Sequence, residues 1–336
     1  YGNAGIIQRE AVAPHAFPRE MGELWRVLGN RGVDVRYTPR GIAQAGRALW
    51  QYWRHSAPEA YARIVPEYAS LIALSIDAHA EMIEAAGAEA LIRRDGWLEV
   101  YRTPAALEAR QAEARALAER YGLTFDALDA TALRACEPHL DAQALGAVHW
   151  RDPCTAADPG ALVAAYARAF EAEGGECLRG DIRDIARHGE GWRVTTAEGT
   201  FEARDVVLAL GPWADHWLGT LGYRLPLFVK RGYHMHYAPR EQTPLRHWLL
   251  DAETGYLLSP MQAGIRLTTG AELAPRDAPP GHAQLEAAER VARGLFPLGE
   301  RLESRPWKGA RPCTPDMKPI IGPAPRHAGL WFALGH

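Results

Sequence analysis

The chain has 336 residues, 47% hydrophobic and 24% charged, with a net charge of −3. That length supports a large core and two domains, and the balance leaves no basic excess with which to hold nucleic acid. The four cysteines, Cys136, Cys154, Cys177 and Cys313, include no Cys-x-x-Cys pair, which argues against a zinc site or disulfide framework and makes a reducing compartment the default.

Tyr1 to Gln8 sets Gly2 and Gly5 close together. Such spacing suits a backbone passing near a flat or charged body, and it equally suits a loop before a strand. From about Gln44 to Gly87 the apolar spacing is helical, with breaks expected at Pro58 and Pro66 and a stop at Gly87. Leu71, Ile72, Leu74, Ile76, Met82 and Ile83 are expected to be buried. The best apolar stretch, 64–83, is interrupted by Glu67, Asp77, His79 and Glu81, so no membrane span of roughly 20 apolar residues is expected. No signal peptide is read at the start.

Leu91–Tyr101 reads as a strand pair turning at Asp95-Gly96. Thr103-Pro104 opens a helix, and Asp129 precedes a short one ending near Pro138. Ala147–Arg151 reads as a strand, and Asp158-Pro159 caps a helix from about Gly160 to Glu173. Strands follow at Asp181–Ala186, Gly191–Thr196, Thr200–Ala203 and Asp205–Leu210. The last reads as a parallel strand buried on both faces, leading to a loop where ligands of α/β sheets sit; a plain core strand and turn satisfies the same run.

Between Leu225 and Arg276, segments at Val229–Tyr237, Gly255–Pro260 and Gly264–Thr269 suggest antiparallel strands. His234 and His236 share a strand face, and hydrogen-bonded histidines fit better there than a metal pair lacking a third ligand. A helix over Gln284–Leu295 and a final buried strand at Gly329–His336 complete the pattern.

The segment Gly309 to Gly322 carries the most information. Pro312, Pro315 and Pro319 follow Arg311 at fixed offsets, with a Thr314-Pro315-Asp316 turn between them. Each proline fixes its own φ, so a stiff loop presenting the Arg311 guanidinium is expected. A rigid planar fork suits a substrate carboxylate, and an arginine salt-bridged to a nearby acid in a Pro-rich turn suits the spacing as well.

Arg-Pro-x-Thr-Pro-Asp-x-x-Pro-x-x-Gly resembles the C-terminal signature of the FAD-dependent D-amino acid oxidase superfamily. Within it, bacterial D-amino acid dehydrogenases and glycine or sarcosine oxidases are the nearest likeness. The resemblance implies that Arg311 lies over the flavin and binds the substrate carboxylate. It implies that Asn3, Ala4 and Gly5 pass beside the isoalloxazine ring. Val206 to Trp213 resembles the second FAD-binding signature, in which Gly211 lets the loop approach the cofactor and Trp213 follows. Ile182, Gly335 and His336 complete the implied cofactor set. Tyr256 lies on a strand resembling the tyrosine-bearing strand of glycine oxidase, and Tyr233 is a further candidate for the substrate pocket. A sheet aromatic with its hydroxyl at the surface explains either tyrosine equally well. Arg266 is a weaker candidate, given no role by the resemblance.

The superfamily opens with a Gly-x-Gly-x-x-Gly turn between a strand and a helix, and no such motif occurs in this chain. The Gly-His-Gly-type loop is cut at Gly335-His336. The expectation is an internal piece of a longer protein, binding FAD poorly by itself.

The expected fold class is α/β (α+β). An incomplete FAD-binding Rossmann-like domain is assigned to 1–43, 153–224 and 305–336. An antiparallel-sheet-plus-helices substrate domain is assigned to 44–152 and 225–304. The expected function is FAD-dependent oxidative deamination of an amino acid, foremost a D-amino acid, by hydride transfer from Cα to flavin N5. The electron acceptor is a quinone, another carrier or O2, and the location is cytoplasmic or peripheral at the inner membrane. Two alternatives stand: a secondary-amine enzyme of the sarcosine, proline or hydroxyproline type, and a non-catalytic subunit without cofactor.

Overall fold

The computed structural model describes residues 2–240 and 243–335. The dominant element is an eleven-stranded mixed sheet. The long strand Phe228–Pro239 organises it, because both of its edges are used. One edge pairs with Gly264–Thr268 and, at Arg231, with Ala271–Leu273. The other pairs with Trp307–Cys313 and Leu298–Arg301. From Gly264–Thr268 the sheet continues through Tyr256–Met261, Trp248–Asp251, Trp97–Tyr101, Gly146–Trp150 and Phe125–Asp129.

Strand side chains alternate between faces, so register decides which residues meet. One face holds the main core: Tyr233, Met235, Tyr237, Tyr256, Leu258, Ile265 and Leu267 pack with helix Ala283–Leu295. The opposite face carries a cross-strand row of three tryptophans, Trp248 against Trp97 and Trp97 against Trp150, all essentially buried. The N-terminal segment lies along this second face, and the Trp97 indole donates to Glu10 Oε1 at 2.9 Å.

Two smaller sheets are built from strands between 182 and 208 and between 320 and 334. Val206–Leu208 pairs in parallel with Leu330–Leu334, which pairs antiparallel with Ile320–Pro323. A meander of Ile182–His188, Gly191–Thr196 and Thr200–Ala203 packs beside them around Trp192, Leu208 and Phe332. A third small sheet joins Ile6–Ile7 and Ile92–Arg93 to opposite sides of Cys154–Ala156.

Helix starts follow their caps. Asp158 Oδ1 accepts from the amides of Gly160 and Ala161 at the head of Pro159–Ala172. Asp129 does the same for Ala130–Cys136. Thr103 precedes Pro104–Tyr121 as expected, but its hydroxyl donates to Glu253 Oε1 at 2.6 Å rather than capping the helix.

Four local expectations need correction. Pro66 does not break its helix: Pro58–Ile72 runs through it, losing one ladder bond, and the interruption falls at Ala73-Leu74. Leu71, Leu74 and Met82 are exposed, because these helices bury only a narrow face around Ile64, Ala69 and Ile83. Gly96 turns the chain with φ +74°, but the flanking strands join different sheets instead of forming a hairpin. Val206–Leu208 is parallel, yet buried on one face only: Leu208 is 2% exposed and Val207 58%.

Candidate functional site

Arg311 sits in a strand, not in a loop. Trp307–Cys313 forms an antiparallel ladder with Phe228–His234, and Arg311 stands directly opposite Lys230. Pro312 is tolerated because this strand pairs with Phe228–Pro239 alone, leaving its other edge without ladder bonds to lose. The stiff turn comes afterwards. Thr314 Oγ1 donates to the Lys318 carbonyl at 2.7 Å, and Met317 adopts φ 64°. The ladder fixes the arginine's backbone, and the proline turn ends the strand.

The register lays out a floor on the second face of the sheet. Reading along it, Phe228 opposes Cys313, Lys230 opposes Arg311, Gly232 opposes Gly309 and His234 opposes Trp307. The two glycines leave bare backbone in the middle. The Arg311 guanidinium lies over Gly232, where a Cβ would stand 2.7 Å from Nη2. From the other end the Trp307 indole lies over Gly309 and against Gly2; a Cβ at either glycine would fall within 2.1 Å of the ring. His234 stacks on that indole with centroids 4.8 Å apart and planes 11° from parallel.

The segment Gly2–Gly5 closes this end of the floor. Its carbonyls are used in turn. Gly2 O meets His234 Nδ1 at 3.2 Å, Asn3 O accepts from Arg266 Nη1 at 2.6 Å, and Ala4 O accepts from the Trp248 indole at 2.6 Å. Gly5, with φ +73°, brings its carbonyl to the Ala156 amide at 2.6 Å. Asn3 Oδ1 accepts from the Gly5 amide at 3.0 Å, which tightens the bend. Thus Asn3, Ala4, Gly5 and Arg311 come to one face of one sheet from opposite ends of the chain.

Arg266 is supported from behind. Its Nε donates to His236 Nε2 at 3.0 Å, and His236 Nδ1 meets the Glu303 carboxylate. Both ring nitrogens of His236 are therefore engaged within the protein. His234 is held neutral: burial, then the charge of Arg266, push its pKa down to about 4. Arg311 is packed among its neighbours yet stays solvent-exposed. Burial draws its pKa down, but a guanidinium stays charged. Its Nη1 reaches the Gly270 carbonyl at 3.3 Å.

The two tyrosines lie elsewhere. Tyr233 and Tyr256 point into the main core, on the face opposite Arg311. The Tyr233 hydroxyl donates to Glu272 Oε2 at 2.6 Å and accepts from Arg231 Nη2 and the Gly281 amide. Tyr256 is 1% exposed, and burial followed by the charge of Asp251 pushes its pKa up. Period-two alternation, counted through the pairing, places both on the face opposite Arg311. The same count places Lys230, Gly232 and Trp307 on the face of Arg311, which no single segment of sequence reveals because strand pairing is not written in one segment.

The remaining cofactor candidates border the other sheets. Gly211 has φ +52° with no atom within 4 Å of where a Cβ would lie, and it opens the 3-10 turn Gly211–Trp213. Trp213 is 59% exposed, and the Pro212 carbonyl accepts from Arg276 Nη1 at 2.8 Å. Gly335, with φ +79°, ends the last strand against the arginine turn; a Cβ there would lie 2.9 Å from Thr314 Cγ2. Ile182 starts the first meander strand and packs on the core around Trp192 and Phe332. His336 lies outside the described residues.

These features fit a flat, two-ended cofactor in part. Gly211 leaves its backbone open to close approach, and Val207, Trp331 and Ile321 leave one face of the parallel sheet apolar and exposed. The parallel pair Val206–Leu208 with Leu330–Leu334 offers the strand ends at which ligands of α/β sheets bind. The chain belongs to the FAD dependent oxidoreductase family, DAO, whose model matches residues 2–336. It is similar to D-amino acid dehydrogenase of Cereibacter sphaeroides, 29% identical over all of this chain and 78% of that protein. It is 27% identical to D-amino-acid oxidase of Bradyrhizobium diazoefficiens, over all of this chain and 80% of that one. In fold it matches glycine oxidase from Geobacillus kaustophilus with TM-score 0.67 at 24% identity, covering 81% of this chain and 74% of that one. L-proline dehydrogenase from P. horikoshii matches with TM-score 0.66 at 16% identity, covering 91% and 88%. The mixed α/β fold class read from the sequence is therefore the observed one, and the family's cofactor is FAD.

Proposed function

We propose that the protein oxidises the Cα–N bond of an amino acid, foremost a D-amino acid, with Arg311 holding the substrate carboxylate. One observation carries this reading. Arg311 is an accessible guanidinium seated on bare glycine backbone, on the sheet face that Gly2–Gly5 crosses, and it shares no ion pair with any described residue. An exposed guanidinium with no ion-pair partner is free to take an anionic ligand such as a carboxylate. The likeness to D-amino acid dehydrogenases favours the D-configuration and a carrier as electron acceptor.

When bound, FAD supplies the two-electron acceptor for the reaction. The chain's residues orient and enclose. Arg311 pairs with the carboxylate as a fork and fixes one end of the substrate. Gly232 and Gly309, lacking side chains, let the Arg311 guanidinium and the Trp307 indole lie flat against the sheet. The Trp307–His234 stack walls the end beneath Gly2, and the bonds from His234, Arg266 and Trp248 hold Gly2–Gly5 in place. Asn3, Ala4, Gly5, Gly211 and Trp213 are the residues proposed to line FAD, with Ile182 and Gly335 behind them. The substrate loses a hydride equivalent from Cα and a proton from nitrogen, giving an imine that water hydrolyses to an oxo acid and ammonia. A substrate amine that arrives neutral requires no base from the protein.

Arg311→Met tests the reading. Removing one partner of a buried charged pair costs about 2–5 kcal/mol, so KM for a D-amino acid is expected to rise at least tenfold and carboxylate inhibitors to weaken equally. An unchanged KM makes Arg311 structural. Turnover of sarcosine or proline without primary D-amino acids would move the assignment to secondary amines.

A further inference from the structure

Arg311 does not stand alone on its floor. Lys230 is its cross-strand partner in the antiparallel ladder, so both side chains leave the same face from directly opposed positions. Like charges so placed repel, and their cost is usually met by intervening acids. Here none intervenes. Among the described residues neither cation has a carboxylate within ion-pair distance, and Arg311 reaches only the Gly270 carbonyl. Lys230 Nζ instead lies over the Tyr52 ring, 4.6 Å from its centroid, and 5.5 Å from that of Phe228. Aromatic faces steer an ammonium without neutralising it.

The surroundings strengthen the point. Lys230 is largely enclosed, and burial followed by the charge of Arg311 holds its pKa below the usual lysine value. Tyr52 is itself fixed, its hydroxyl donating to the His15 carbonyl and its ring meeting Phe17 edge-on at 5.4 Å. The second cation therefore sits in a formed aromatic niche at the end of the floor away from Gly2. A substrate carboxylate on Arg311 whose side chain runs along the floor toward Phe228 brings that side chain to the niche.

We propose that Lys230 is a specificity-determining residue, so that this site takes amino acids bearing a second carboxylate, the dicarboxylic class, in preference to neutral ones. This rests on the reading of Arg311 as the carboxylate clamp. Two anionic groups a few bonds apart neutralise two opposed cations that nothing else neutralises. A neutral side chain would leave Lys230 enclosed and unpaired, which is the penalty that creates selectivity against it.

Binding measurements test this without turnover. Succinate and butyrate are titrated into the protein by calorimetry, and D-glutamate is compared with D-glutamine in anaerobic flavin reduction of the loaded protein. Succinate is expected to bind at least about tenfold tighter than butyrate, as one added charge-assisted hydrogen bond allows. Lys230→Met should collapse the succinate-to-butyrate and glutamate-to-glutamine ratios toward one, and Lys230→Arg should retain most of both. A ratio near one in the unaltered protein, or ratios untouched by Lys230→Met, overturns the proposal. Butyrate binding that survives Arg311→Met overturns the clamp beneath it. The two failures are distinct, because the first concerns the ratio and the second the monocarboxylate itself.

Discussion

Gly232 and Arg311 fit face to face: the guanidinium occupies the space that any side chain at position 232 would need, with 2.7 Å between a built Cβ and Nη2. The position of the guanidinium is therefore set by a residue two positions along the neighbouring strand from its cross-strand partner Lys230. Gly232→Ala should displace a flexible side-chain end, at little cost to the fold. KM for the amino acid should rise about tenfold or more, since small misplacements of an orienting group are expensive, while the thermal midpoint stays close to the parent's. Steady-state kinetics with a melting curve checks this, and an unaltered KM would detach Gly232 from the site.

Tyr233 provides the contrasting case. Its hydroxyl completes a buried network with Arg231 and Glu272, whose salt bridge is 2.6 Å long. Tyr233→Phe should cost about 1–3 kcal/mol in urea unfolding by stranding those partners, with KM within twofold of the parent. A large KM effect with normal stability would return Tyr233 to the substrate.

Arg266 anchors the glycine segment through Asn3 O and is braced by His236 and Glu303. Arg266→Met should loosen residues 2–8 before it loosens the sheet. Amide exchange at Gly5 and Ile6 is expected to accelerate well beyond that of the Gly264–Thr268 ladder. Equal acceleration throughout would mean that Arg266 supports the whole fold instead.

His234 gives a pH signature. Its pKa falls from 6.5 in the unfolded chain to about 4 when folded, so between those values the unfolded state binds more protons. Stability is then full above pH 6.5 and is lost as pH falls toward 4, by up to about 1.4 kcal/mol per pH unit. His234→Gln should flatten the slope in that window without abolishing it, since His15, His79 and His149 are also held low by burial. Urea unfolding at pH 4.5, 5.5 and 7 measures it; parallel curves for parent and variant would show that His234 titrates normally.

The local signals in the sequence were those with local causes. The caps at Asp129 and Asp158, the turn glycines and the meander 182–203 all rest on residues a few positions apart. The arginine motif was legible as a cation worth fixing, but the strand that fixes it was not, because three prolines disguise an edge strand as a loop. Resemblance points Tyr256 toward the substrate and Tyr233 is a further candidate, but only strand pairing assigns them a face: that of Trp307–Cys313 with Phe228–His234 for Tyr233, continued through Gly264–Thr268 for Tyr256. Lys230 was hidden for the same reason: its meaning depends on a residue 81 positions away that register alone puts opposite it.

Gly335 closes against the Thr314 methyl, so the last strand of the small parallel sheet and the turn that ends the arginine strand bear directly on one another. The two sheets are coupled there like a bolt and its catch. Movement of the final strand along its axis would press on Thr314 and be transmitted to Arg311 three residues away.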